Sequence, residues 1–311
     1  MGNHPDFARP FYAKLLLFGE HTILKGSEAL AIPFSKFGGQ WALLPADTPP
    51  EIMASRQQDL PRFLAYLESP AFRTQCPFEV HLDAFRAALA QGLYFDSNIP
   101  TGYGLGSSGA LVAAFADAFC EGLPSDFIAL KEALSRLEHF FHGASSGIDP
   151  FICYLNRPVL TGPGNKIVVT QMPAENATGK HVFFLLDTKI KRKTGPFVQV
   201  FLKKCASNTF WELCSNTLIP AVNASIHAFL HSDWSALWEN FHKIGASQYR
   251  FWPEFIPESF RDIWQKSLDS ASFRFKLCGA GGGGFILGLS TNWPETRKAL
   301  EGYEVFPFFR F

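Results

Sequence analysis

The chain has 311 residues, with 28 Lys and Arg set against 28 Asp and Glu, so its formal net charge is zero. These charges are mixed along the sequence rather than gathered in blocks. That excludes the electrostatic footprint of a nucleic-acid or anionic-membrane binder, and any anionic ligand must be held by local geometry. The length exceeds the roughly 250–300 residues at which single cores stop growing, so two lobes sharing a ligand cleft are expected.

Residues 1–6 lack the basic start and apolar run of a secretory signal, and no apolar stretch reaches the roughly 18 residues of a membrane span, so the expected compartment is the cytoplasm. Residues 13–18 and 29–34 read as buried strands separated by the polar turn Gly19-Glu20-His21 and by Lys25-Gly26-Ser27. A helix is expected over 60–67, a strand over 78–82, and a further strand from 93 leading into the glycine-rich segment Thr101–Gly109. Beyond it Leu111, Val112, Phe115 and Phe119 have helical spacing, and a second helix is expected over 126–141, with Ser125 as N-cap and Gly143 as stop. Residues 158–160 and 166–170 suggest a hairpin and 181–187 an apolar strand. Helices follow at 197–205, 209–231, 234–249 and 257–269, then strands at 273–277 and 285–289 around a glycine run. Strands, then helices, then strands again argue an α+β class rather than repeating βαβ units, with a lobe boundary near residue 165 dividing 1–165 from 166–311. Six scattered cysteines without a CxxC pair read as reduced buried thiols, and the 33 phenylalanines as aromatic-rich cores.

Four segments carry chemistry. Pro100-Thr-Gly-Tyr-Gly-Leu-Gly-Ser-Ser-Gly109 runs into a helix, where glycines let the backbone approach a ligand and freed N–H groups cradle an anion. No lysine precedes the serines as in a Walker loop, and the setting is not βαβ, so the alternative is a Gly-Ser turn capping a helix. Glu138 and Asp149 are joined by His142-Gly-Ala-Ser-Ser-Gly-Ile. Two such carboxylates suit phosphoryl transfer, one holding magnesium and one handling a hydroxyl proton. They also read as a solvated helix residue and an N-cap before Pro150. Lys276-Leu-Cys-Gly-Ala-Gly-Gly-Gly-Gly-Phe285 spends too many glycines for a simple turn, since each costs roughly 0.5–1 kcal/mol of ordering entropy relative to alanine. Finally, Lys14 lies on an otherwise apolar strand, where a lysine needs a partner, and could neutralise charge on a transferred phosphoryl group.

Together and in this order, these segments resemble the three signature motifs of the galactokinase, homoserine kinase, mevalonate kinase and phosphomevalonate kinase (GHMP) family. Lys14–His21 resembles the first motif, Pro100–Ser108 the phosphate-binding second, and Lys276–Gly284 the glycine-rich third. The Glu138–Asp149 stretch is most similar to the arrangement in mevalonate kinases. The resemblance implies a two-lobed fold, with an N-terminal lobe like ribosomal S5 domain 2 and a ferredoxin-like α+β C-terminal lobe. It implies ATP and Mg2+ as cofactors, with Asp149 as base or hydroxyl-orienting group beside Lys14. Ser108 and Glu138 would hold the metal. Gly104, Leu105, Gly106, Ser107, Ser108 and Gly109 would cradle the phosphates, and Glu20, His21, Thr188 and Gly281 would face the substrate.

Where galactokinases continue from Gly-Glu-His-Thr to Asp-Tyr, this chain has Ile23 and Leu24, an apolar wall that suits mevalonate better than a sugar. Lys189, Lys191, Arg192 and Lys193 keep a phosphorylated acceptor such as phosphomevalonate as the alternative, beside a solvated charge run at a strand end. A catalytically silent ligand-binding protein of the same fold is a further alternative, opposed by the joint presence of Lys14, Glu138 and Asp149. Thr101, Tyr103 and Gly109 depart from the family pattern, so that Tyr103 is expected to alter adenine contacts, and the tail after Gly288 carries no motif. The implied partner is a small molecule rather than a nucleic acid or membrane, and the resemblance is compatible with a homodimer.

Overall fold

The computed structural model describes residues 7–74, 76–191 and 194–311. The chain has the expected α+β class and divides into two compact units. One comprises the described residues up to Lys14 with Pro33–Pro100 and Gly106–Arg157; the other comprises Leu15–Ile32, Thr101–Leu105 and Pro158–Phe311. The long strands β1 (Phe11–Phe18) and β2 (Ala29–Leu43) therefore contribute residues to both. The units interleave along the sequence rather than meeting at a single boundary near residue 165, and the last passage from one to the other falls at Arg157–Pro158.

The first unit contains α1 (Pro50–Gln57), α2 (Leu60–Glu68), α3 (Pro70–Arg73), β3 (Glu79–Val80), α4 (Leu82–Ala90), β4 (Leu93–Ser97), α5 (Ser107–Phe119), β5 (Cys120–Glu121), α6 (Phe127–His142) and α7 (Ile148–Leu155). β4 runs antiparallel to the end of β2, from Gly39 opposite Ser97 to Leu43 opposite Leu93. The strand expected over 78–82 is only the short β3, because Leu82, Phe85 and Leu89 have helical spacing and build α4, burying Phe85 and Leu89. Phe115 lies 5.0 Å from both Phe63 and Phe85 between ring centroids, and Trp41 packs against Phe85 while its indole N–H donates to the Ala114 carbonyl at 3.0 Å. This aromatic core fixes α5, whose alanines at 110, 113 and 114 are fully buried and let α6 and α7 approach closely.

Asp126, not Ser125, caps α6: its Oδ1 accepts from the Ile128 and Ala129 N–H groups at 3.0 and 2.9 Å. The carboxylate reaches both first-turn donors, which a shorter serine one residue earlier does not. α7 is capped by Gly147 at φ +74°, which puts Asp149 inside the first turn rather than at the cap. A Cβ on Gly147 would stand 2.3 Å from the Lys131 carbonyl oxygen, so only glycine lets the turn lie on α6.

In the second unit, β6 (Val159–Gly162) and β7 (Lys166–Val169) form the expected hairpin, and β6 pairs with the start of β2, from Ala29 opposite Thr161 to Ala31 opposite Val159. There follow β8 (Val182–Asp187), α8 (Thr194–Lys204), α9 (Asn208–Leu213), α10 (Ile219–Leu230), α11 (Trp234–Phe251), α12 (Arg261–Asp269), β9 (Phe273–Leu277), β10 (Phe285–Ser290), α13 (Trp293–Ala299) and β11 (Val305–Arg310). The last four strands form an antiparallel sheet in the order β11-β8-β10-β9, with α11 and α12 packed on β9. The single helix expected over 209–231 is interrupted by a π turn at Cys214–Leu218. Pro220 supplies no N–H and its ring would crowd the carbonyl four residues back, so the wider turn absorbs it. β11 contains Pro307 at a register shift, a placement that a sheet edge tolerates and a central strand does not.

Candidate functional site

In the first unit the functional side chains gather around the N-terminus of α5. Lys14 on β1 and Asp149 on α7 form an ion pair with Nζ 2.9 Å from Oδ1; the lysine side chain is 12% exposed and the aspartate 34%. Gly106, at φ +73°, caps α5 without a side-chain hydrogen bond. The first N–H groups of that helix, unmatched by carbonyls within it, point their positive end outward, as an anion would require. A Cβ on Gly106 would meet Lys14 Cγ at 3.0 Å and Asp149 Oδ2 at 3.5 Å, while one on Gly109 would meet the Asp149 carbonyl carbon at 2.8 Å. The two glycines thus bring the helix start against the Lys14–Asp149 pair.

Glu138 faces the same helix start. The Ser108 hydroxyl donates to its Oε1 at 3.1 Å, and Ser145 donates to its Oε2 while accepting from the Gly147 N–H at 2.9 Å. Only 3% of Glu138 is exposed. Burial above all, and then the negative charge of Asp149, push its carboxyl up from 4.5 to about 7, against the opposing pull of the Ser145 and Ser108 hydroxyls and Lys14. His142 Nε2 lies 2.9 Å from the Ser108 hydroxyl oxygen. The sequence alone assigns no role to His142 or Ser145. His142 follows Glu138 by one helical turn on α6, so the two share a face, and that spacing was the available signal.

The second unit holds Glu20, His21, Thr188 and Gly281. Glu20, expected to face substrate, is 4% exposed and forms an ion pair with Lys276, which is fully buried. Gln248 Nε2 donates to Glu20 Oε1 at 3.3 Å; Glu20 Oε2 is buried without a hydrogen-bond partner among the described residues. His21 is 5% exposed, packs against Phe201, Trp252 and Phe255, and donates through Nε2 to the Ala280 carbonyl at 3.0 Å. Its φ of +62° is a conformation that costs about 1–3 kcal/mol in a non-glycine residue and persists only where packing imposes it. The Thr188 hydroxyl donates to the Gly284 carbonyl at 2.7 Å. Gly281 sits where a Cβ would be 2.8 Å from the Phe255 carbonyl oxygen.

Thr101–Leu105, which includes Gly104 and the buried Leu105, belongs to this second unit, whereas Gly106–Gly109 belong to the first. Tyr103, expected to bear on adenine, donates its hydroxyl to Asp187 Oδ1 at 3.0 Å and packs its ring on Phe285. Lys189 pairs with Asp187 and Glu304, so its charge is already matched. Lys191 is exposed, and Arg192 and Lys193 of the same basic run lie outside the described residues, as does the N-terminal segment 1–6.

Among the described residues no group of three or more His, Cys, Asp or Glu gathers in a metal-binding arrangement. That fits Mg2+ only in a particular way, because this ion commonly takes one or two carboxylates plus phosphate oxygens and water rather than an all-protein cage. Glu138 with the Ser108 hydroxyl offers such a partial set beside the start of α5.

Residues 74–157, which carry Ser108, Glu138, His142 and Asp149, match the GHMP kinases N terminal domain family. The whole chain is similar in fold to L. major mevalonate kinase in complex with R-mevalonate, at 17% identity and a TM-score of 0.66 over 97% of this chain and 95% of that one. The chain has the GHMP kinase fold. Other GHMP kinase structures similar to it are the Streptococcus pneumoniae phosphomevalonate kinase (17% identity, TM-score 0.63, 96% and 98% covered) and the Lactococcus lactis galactokinase complexed with galactose (15%, 0.61, 98% and 94%). No curated protein matches the chain. Lys14, Glu20, His21 and the glycine run at 279–284 lie outside the matched GHMP segment, so their grouping with it rests on motif order and on the fold as a whole.

Proposed function

We propose that the protein is an ATP-dependent kinase acting on a small-molecule hydroxyl, with mevalonate as its acceptor and 5-phosphomevalonate as its product. The observation that carries this reading is the Lys14–Asp149 pair, held against Gly106 at the start of α5, where no side chain occupies the helix N–H groups as a cap. A proton acceptor, a cation and an anion-binding helix end within one cluster are what in-line phosphoryl transfer requires.

In this mechanism the N–H groups at the start of α5 and the hydroxyls of Ser107 and Ser108 bind phosphate oxygens of ATP. Asp149 orients the acceptor hydroxyl and takes its proton as the oxygen attacks the γ-phosphorus. The new O–P bond forms as the bond from that phosphorus to the β–γ bridging oxygen breaks, and ADP departs with the electron pair. Lys14 holds Asp149 in place and offers positive charge to the transferring group. Glu138 and Ser108 would hold Mg2+, which when bound neutralises charge on the phosphates.

The choice of acceptor is supported by the Glu138–Asp149 segment and by Ile23-Leu24 in place of the Asp-Tyr of galactokinases. It is supported also by Lys189, whose pairing with Asp187 and Glu304 leaves it poorly placed to bind a second phosphate. A coupled ADP-release assay with Mg-ATP and a panel of mevalonate, 5-phosphomevalonate, galactose and homoserine tests it. Saturable turnover with mevalonate alone supports the proposal. Turnover with another member of the panel overturns the acceptor but keeps the phosphate site, and no turnover with any of them removes the kinase reading.

A further inference from the structure

Lys276 is a fully buried cation on β9, and every partner of its ammonium group lies inside the second unit. It pairs with Glu20 and donates to the carbonyls of Leu17 and Leu277 at 3.1 and 2.7 Å. Gln248 on α11 completes a closed circuit, accepting from the Leu277 N–H at 2.8 Å and donating to Glu20. One residue further on, Cys278 opens the glycine-rich loop, and His21 reaches into that loop by its bond to the Ala280 carbonyl.

The loop is in turn seated by backbone contacts that tolerate no side chain. Gly282 N–H donates to the Phe255 carbonyl at 2.6 Å and Gly284 N–H to the Ile190 carbonyl at 2.7 Å. A Cβ on Gly284 would lie 3.1 Å from the Tyr103 carbonyl oxygen, so the loop presses directly on the Thr101–Leu105 segment. A continuous line of contacts runs from the Glu20–Lys276 pair to that segment.

We infer that Glu20, His21, Gln248 and Lys276 are positioning residues, which set the glycine loop 279–284 and through it the Thr101–Leu105 part of the phosphate loop. They act on nucleotide binding without touching the acceptor. This rests on the proposed reading that the Thr101–Gly109 segment binds ATP phosphates. A buried charge pair with matched hydrogen bonds specifies one arrangement of the backbone it touches, and a glycine-rich loop needs such specification because its own conformational freedom is large.

The experiment compares the wild-type protein with a double variant, Glu20→Gln with Lys276→Met, which removes both charges together, and with Gln248→Leu, which leaves the ion pair in place. Deuterium uptake of peptides covering 101–105 and 278–284 reports on the positioning itself, whether or not ATP binds. Exchange in both peptides is expected to accelerate by about fivefold or more in each variant that folds. Affinity for a non-hydrolysable ATP analogue is expected to weaken about tenfold in the double variant, with the acceptor KM within about twofold of wild type. Unchanged exchange in Gln248→Leu overturns the inference, even if the double variant does not fold. A raised acceptor KM with unchanged nucleotide affinity overturns it too, and would place an acceptor group at the unpartnered Glu20 Oε2. Accelerated exchange in a protein whose wild type binds no ATP analogue would keep the positioning network and remove the kinase reading instead.

Discussion

Asp149 Oδ1 lies 2.9 Å from the Lys14 ammonium, and the two residues come from elements far apart in sequence, β1 and α7. If Asp149 takes the acceptor proton, Asp149→Asn keeps the size and the hydrogen-bonding reach but not the basicity. Turnover is expected to fall by roughly two or more powers of ten while ATP affinity stays within a few fold. Steady-state kinetics with a separate nucleotide titration check this, and undiminished turnover would sink the assignment.

Glu138 sets a pH dependence whose sign is unusual for a carboxylate. Its folded value of about 7 lies above the ordinary 4.5, so the folded state binds its proton more tightly than the unfolded state does. The resulting stabilisation is complete below about pH 4.5 and is lost as the pH rises through 7. In the metal-free protein the loss is on the order of 3 kcal/mol, taking about 1.4 kcal/mol per unit. Urea unfolding between pH 5 and 8.5 should show that slope in the wild type and a flatter one in Glu138→Gln.

If Glu138 holds Mg2+ as proposed, the same titration governs metal binding, because Mg2+ requires the ionised carboxylate. Apparent Mg2+ affinity in the presence of an ATP analogue should rise with pH up to about 7 and then level off. Glu138→Gln should bind Mg2+ weakly at every pH; calorimetric titration distinguishes this from an affinity that ignores pH.

Gly106→Ala places a Cβ 3.0 Å from Lys14 Cγ in a residue at φ +73°. The left-handed conformation alone costs roughly 1–2 kcal/mol, and the displaced lysine should lower turnover as well as melting temperature. A variant with wild-type kinetics and stability would show that the helix start does not abut the pair as described.

Tyr103→Phe deletes a hydroxyl that donates to Asp187. Stability should drop by about 1 kcal/mol, with KM for ATP within about twofold. A large rise in that KM would instead support the adenine contact expected from the sequence.

Much of this architecture was readable beforehand. α5 and α6 stood out because apolar residues recur at helical spacing behind a glycine-rich start in one and ahead of Gly143 in the other. α4 was hidden because it is short and follows directly on β3, so its opening residues satisfy either period. β11 was hidden by Pro307, which counts against a strand unless its edge position is known. In the site, Lys14 drew notice as a cation on an apolar strand. The same rule applies to Lys276 on β9, whose pairing with Glu20 spans most of the chain and is revealed by no local pattern.

The interleaving of the two units bears on how the chain is made. Leu15, Leu17 and Phe18 are wholly buried, and the unit they belong to resumes only at Pro158, apart from Thr101–Leu105. The Lys276 partner of Glu20 leaves the ribosome more than two hundred residues after it, which at about 5–20 residues per second is a delay of roughly 13–50 seconds. Through that interval the Glu20 carboxylate lacks Gln248 and Lys276, and Phe18, although β1 can already pair with β2, lacks the Phe183, Phe229 and Phe241 rings that cover it. The nascent chain should therefore depend on chaperones that shield its N-terminal segment, and slower translation should lengthen its exposure to aggregation.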